Sequence, residues 1–171
     1  ALTMSIETHP TTQRLAALLN ALAAEDLAGA VLSRPEHLFY FTGIRPGPAP
    51  AFLIVLPGRC VAVAPAAVGS LETVTYTDYD IWRGWSVAGN ASAALAQAVA
   101  DCGLGQARVG VELGHLAAVY AHHIRPRIGQ PADVEPILAK LRQRKDGAEI
   151  AQIEANLAAN DRAFAAVQGA L

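Results

Sequence analysis

The side chains of this sequence that could do chemistry are few and scattered. Glu112 closes the short run Arg108-Val-Gly-Val-Glu112, and the carboxyl ends of strands are where ligands meet α/β sheets. Its only candidate partner close in sequence is His115. A carboxylate in this position more often caps the next helix, and that is the role expected of Glu112. His122 and His123 are adjacent, so on a helix they point about 100° apart and do not readily share a metal ion. One surface imidazole beside one half-buried one is the expectation. There is no His-Glu-x-x-His and no Cys-x-x-Cys, the usual zinc spacings. Gly84-Trp-Ser-Val-Ala-Gly89 places its second glycine too late for a nucleophile elbow. Gly103-Leu-Gly105 precedes a strand instead of following one, which argues against a dinucleotide loop.

Two stretches suit recognition better than catalysis. Tyr76, Tyr79, Trp82 and Trp85 crowd together with Asp78, Asp80 and Arg83. Either the rings close a satellite core with the aspartates in turns, or the cluster is a contact surface of the Trp, Tyr and Arg kind. The core reading is favoured, and Trp82 and Arg83 are the best contact candidates. The second stretch, HLFYFTGI from His37 to Ile44, places Phe39, Tyr40 and Phe41 just before a loop containing Pro46, Pro48 and Pro50. Arg45 stands at the head of that stiff loop, with nothing hydrophobic for its stem nearby in sequence.

These residues need elements to position them. Leu15, Leu18, Leu19 and Leu22 are spaced as on an amphipathic helix over residues 11–26. A short buried strand follows at 28–32, then one or two helical turns at 36–41, started by Pro35 and stopped by Gly43. Residues 51–56 and 60–64 flank Pro57-Gly58-Arg59 as a hairpin, and 73–79 reads as an edge strand. A helix over 91–102 is expected to be capped by Asn90 and stopped by Gly103. Residues 108–112 form a further strand, 116–124 a helix, and 133–144 a helix after an opening turn. The order predicts an α/β domain with a mixed β-sheet flanked by helices. From Ile150 the chain carries Ile153, Leu157, Phe164, Val167 and Leu171 in steps of three and four around Asn160, a narrow apolar seam on one long helix. Such a seam needs a surface: either it docks on its own domain or on a second copy, or, the favoured expectation, the chain continues in nature beyond Leu171.

At 171 residues, 53% of them hydrophobic, the chain is long enough for one globular domain with a sizeable core. A net charge of -2 and a pI near 6.2 give no reason to expect nucleic acid or an anionic membrane as partner. Cys60 and Cys102 are expected to be isolated, buried thiols in a cytoplasmic protein.

Several stretches in this order resemble the creatinase/prolidase N-terminal domain. They are Arg14-Leu-x-x-Leu18, Leu27-Ala-Gly-Ala-Val-Leu-Ser33, RPEHLFYFTGI, Val109-Gly-Val-Glu112, and Leu138-Ala-Lys-Leu-Arg142 leading through Lys145 to Glu149-Ile150. His37 departs from the pattern, standing where the family usually has asparagine. The resemblance implies an N-terminal domain over residues 1–145 and a linker helix over 146–171. It also implies a separate C-terminal pita-bread catalytic domain that holds two divalent ions, commonly manganese, with none of those ligands in this chain. The implied role is non-catalytic: shaping substrate access and dimer contacts in an Xaa-Pro peptidase of aminopeptidase P or prolidase type. Tyr40 and Arg45 on the proline-loop side, with Trp82 and Arg83, are then the candidate contacts to substrate or to a partner subunit's active site. A creatinase-like small-molecule hydrolase, or a stand-alone module binding a small ligand, are the alternatives.

Overall fold

The computed structural model describes residues 10–79 and 86–169. Six strands form one sheet in the order β4-β3-β2-β1-β5-β6. They are β1 (Ala30–Leu32), β2 (Phe52–Leu56), β3 (Arg59–Ala64), β4 (Glu72–Thr75), β5 (Arg108–Val111) and β6 (Gln130–Asp133). The helices are α1 (Pro10–Ala24), α2 (Pro35–Thr42), α3 (Val87–Asp101), α4 (Ala118–Ile124), α5 (Glu135–Gln143) and α6 (Gly147–Gln168). β2 is antiparallel to both neighbours, and every other pairing is parallel. The mixed sheet is the expected one.

Both faces of the sheet are covered, which is why its central strands read as unbroken apolar runs and not as alternations. The two-residue period of a strand divides their side chains. Val31, Ile54, Val61, Val63, Val109 and Val111 turn to one face and pack with Leu95, Val99 and Ile124 of α3 and α4. Ala30, Leu32, Leu53 and Val55 turn to the other, under Leu18 and Leu22 of α1, Leu38 and Phe41 of α2, and Leu138 of α5.

Local chemistry sets the boundaries. Pro35 opens α2, and Gly43 closes it in the left-handed region at φ 72°, its N–H donating to Phe39 O. That is the glycine stop the sequence predicts. Gly29 serves closeness instead: a Cβ there would lie 2.6 Å from Val55 O, so only glycine lets β1 approach β2 at that point.

Three expectations need correction. α3 starts before residue 91, and its N-cap is Ser86, whose hydroxyl accepts from Gly89 N. Asn90 lies inside the helix and reaches out to donate to Thr77 O at 2.9 Å. The segment before α5 contains β6, a strand with Pro131 in it; a proline is tolerated there because β6 is an edge strand. Cys60 and Cys102 are free, as expected, but half-buried, not fully buried.

α6 begins on a reciprocal cap. Asp146 accepts from Glu149 N at 2.8 Å, while the Glu149 carboxylate accepts from Asp146 N at 3.1 Å. Arg14 of α1 holds the same turn, donating to Asp146 Oδ2 from Nε at 2.9 Å and from Nη2 at 2.5 Å. Beyond that turn α6 buries no residue. Its seam faces solvent, with Phe164 71% exposed.

Candidate functional site

β1 and β5 lie side by side and parallel, yet the chain leaves them in opposite directions. After β1 it enters α2 on one face and returns as β2; after β5 it enters α4 on the other face and returns as β6. The two loops diverge, which opens a crevice at the carboxyl ends of the strands, the usual ligand position in α/β sheets.

Glu112 fills the base of this crevice and is fully buried. Its Oε2 accepts from Ser33 N at 2.5 Å, Arg34 N at 2.8 Å and Ser33 Oγ at 2.9 Å. Its Oε1 is bonded to His37 Nδ1. Burial alone would raise the carboxyl's pKa, but the His37, Ser33 and Arg34 donors outweigh it and hold Glu112 below the usual range. The residue is therefore an ionised acceptor. The expectation that it caps the next helix is overturned: α4 has Ala117 at its N-cap and no side-chain cap bond. Only the Glu112 backbone serves that turn, its carbonyl accepting from His115 N and Leu116 N.

The chain of bonds extends on both sides. Arg142 Nη1 lies 3.0 Å from His37 Nε2, and Ser33 Oγ lies 3.0 Å from His115 Nδ1. The order Arg142, His37, Glu112, Ser33, His115 joins α5 to the loop after β5. Glu112 and His115 are the pair expected from the sequence, whereas Ser33, His37 and Arg142 join them only in the fold. A signal was present: Ala-Val-Leu-Ser33 and Val-Gly-Val-Glu112 are two apolar runs, each ending on a polar residue.

Tyr40 and Arg45 do not share a cavity. Phe41 anchors α2 in the core, while Tyr40 is only half-buried and lies edge-on to it at 4.9 Å. The Arg14 guanidinium sits over the Tyr40 ring at 4.3 Å. Tyr40 lines a groove with Arg14, Arg142 and Glu149. Burial and the nearby Glu149 raise its hydroxyl pKa.

Arg45 instead lines a cavity of about 240 Å³ walled by Pro46, Pro48, Ile44 and Val68, with Asp78 also on its lining. Its guanidinium lies 5.4 Å from the centre of the Phe39 ring. That contact runs back across Gly43 from the loop to α2. The far end of the loop is tied down by Tyr76, whose hydroxyl donates to Pro50 O at 2.5 Å. Burial pushes the Tyr76 hydroxyl up to about 12. Trp82 and Arg83 lie outside the described residues. His122 is exposed and His123 half-buried, its Nδ1 at 2.7 Å from Val119 O.

Among the described residues no group of three or more His, Cys, Asp or Glu is placed to hold an ion. Glu112, the one fully buried carboxylate among them, already takes four protein donors.

Among solved structures, the fold is similar to a dipeptidase from Pyrococcus horikoshii OT3, with a TM-score of 0.71 and 22% identity over 90% of this chain. It is also similar to the dipeptidase PepE from Mycobacterium ulcerans, at TM-score 0.66 and 22% identity over 95% of this chain. The chain spans 43% and 44% of those two proteins, less than half of either. A structure of the N-terminal, creatinase/prolidase-like domain of a putative metallopeptidase from Corynebacterium diphtheriae is matched over 97% of its own length. There the TM-score is 0.53 and the identity 20%, over 74% of this chain. No curated protein matches the sequence. Residues 14–144 match the creatinase/prolidase N-terminal domain, and the chain belongs to that family.

Proposed function

We propose that this chain is the non-catalytic N-terminal domain of a metal-dependent Xaa-Pro peptidase of aminopeptidase P or prolidase type. Its role is to shape substrate access and to make oligomer contacts in a cytoplasmic homodimer. The observation that carries this reading is the family match over residues 14–144, in a chain spanning less than half of the dipeptidases it resembles. Residues 1–145 form the access domain, and residues 146–171 link it to a C-terminal catalytic domain that supplies the two metal ions and their ligands. The outward seam of α6 fits that linking role, because an apolar stripe of this length needs cover.

Within the domain, Arg45 is the residue proposed to meet a substrate carboxylate or the rim of a partner's active site. Its loop is pinned at Pro50 by Tyr76, and prolines restrict the unfolded loop by about 0.4–1 kcal/mol each where their geometry fits. A guanidinium makes paired, charge-assisted bonds that lysine does not copy. Tyr40, Trp82 and Arg83 are secondary contact candidates.

The test uses the full-length parent enzyme with its metal. Arg45→Ala and Arg45→Lys should lower kcat/KM on an Xaa-Pro dipeptide by roughly ten- to a hundredfold, the loss of about 1.5–3 kcal/mol from a charged hydrogen bond. The melting temperature should stay unchanged. Kinetics within twofold of the parent in both variants return Arg45 to the solvated surface. A parent that turns over only non-peptide small molecules shifts the reading to a creatinase-like hydrolase.

A further inference from the structure

The hydrogen bonds around Glu112 have a direction. An ionised carboxylate only accepts, so the Ser33 hydroxyl proton points at Glu112 Oε2. Ser33 Oγ must then receive from its other partner, and that partner is His115 Nδ1. In the neutral ring the His115 proton is therefore on Nδ1, and Nε2 carries the lone pair. Among the described residues no hydrogen-bond partner faces Nε2. A fully buried carboxylate thus acts through one serine to fix the tautomer of one exposed imidazole.

His115 and Ser33 line a cavity of about 330 Å³ at the mouth of the β1/β5 crevice. Its wall also includes Leu38 of α2, the proline loop with Pro46, Pro48 and Pro50, and the rings of Phe52 and Tyr120. Phe52 and Tyr120 meet edge-to-face at 4.8 Å. No residue lining the cavity is Asp, Glu, Lys or Arg. An anion would find no counter-charge there, whereas a flat apolar ring would find apolar walls and one oriented acceptor.

We propose that this cavity binds a small, uncharged ring compound carrying a single O–H or N–H donor, of the phenol or indole class, with that donor delivered to His115 Nε2. Arg45 does not line this cavity, although both cavities share Pro46 and Pro48, and the proposal does not depend on the peptidase reading. It gives the domain a ligand of its own, held at the sheet's switch point.

The experiment titrates the ¹⁵N-labelled 171-residue chain with phenol, toluene and benzoate while following the His115 ring nitrogens and the Ser33 and Phe52 amides. Phenol should produce saturable shifts at all three residues, with toluene and benzoate binding at least tenfold more weakly. His115→Phe keeps a ring at an exposed position but removes the acceptor, and should bring phenol down to the level of toluene. Ser33→Ala should weaken phenol several-fold by freeing the His115 tautomer, with the apolar walls intact. No saturable shift with phenol, equal binding of phenol and toluene, or unchanged phenol binding in His115→Phe each overturn the proposal. Since no readout is hydrolysis, failure here leaves the peptidase reading standing.

Discussion

Arg142 Nη1 lies 3.0 Å from His37 Nε2, and this contact decides where the His37 proton sits. A guanidinium only donates, so Nε2 must be the acceptor and the proton is on Nδ1, directed at Glu112. Glu112→Gln tests that assignment. The amide oxygen must replace Oε2 to keep three donors satisfied, which turns the amide N–H₂ toward the His37 N–H. We expect a loss of about 1.5–3 kcal/mol in urea denaturation. Arg142→Met should lose less. The double variant should lose less than the sum, because without Arg142 the His37 proton can move to Nε2. Simple additivity would contradict the assigned tautomer.

The same carboxylate makes stability depend on acid. Glu112 is held below its ordinary pKa by its donors despite burial, so the folded state binds its proton less readily than the unfolded one. Its contribution is complete above the unfolded glutamate value of about 4.3 and disappears as pH falls through the lower folded value. Denaturation free energy should therefore decline through that window, and Glu112→Gln should flatten the decline. An unaltered acid slope in the variant would assign it to other groups.

Asp146 serves α6 twice, as N-cap and as partner of Arg14. Asp146→Ala should cost about 0.5–2 kcal/mol locally, the usual range for a lost cap. Arg144 and Lys145, both exposed, stand immediately before it, which makes limited trypsin digestion a direct readout. Cleavage there should accelerate several-fold while the overall melting temperature moves by only a few degrees.

The seam of α6 predicts association of the isolated chain. Ile153 and Leu157 are 45% and 57% exposed, on a helix that buries no residue. Light scattering should show a mass that rises with concentration. Ile153→Glu combined with Phe164→Glu should return it to a monomer with an unchanged melting temperature, since neither side chain supports the core. A wild-type chain that stays monomeric throughout would contradict this.

Most elements were legible because their signals are local. Gly43, Pro35 and the Pro57-Gly58 turn act within a few residues, and α2 and the β2–β3 hairpin fall where they indicate. β6 was missed because Gln-Pro-Ala-Asp has no strand propensity; its pairing with β5 makes it a strand, Gln130 N donating to Ala107 O at 2.9 Å. The start of α3 was misplaced because Gly89 and Asn90 look like breakers, yet Val87 packs against the core and holds them helical. The site was only half legible. Glu112 and His115 stand close in sequence, whereas Ser33, His37 and Arg142 reach them only through the β1/β5 pairing and the docking of α5.

That pairing also has a kinetic consequence. β1, β2 and β3 are consecutive, β2 and β3 through a tight turn and β1 and β2 through α2 and the proline loop, so they can associate before β5 arrives. Ala30 must wait for Gly110, which is far along the chain, and contacts of such separation form slowly. Until they do, β1 is an open edge with apolar residues on both faces. A growing chain that has not yet delivered β5 is thus most prone to wrong strand pairing at Ala30–Leu32, and Glu112 is delivered by the same event that closes that edge.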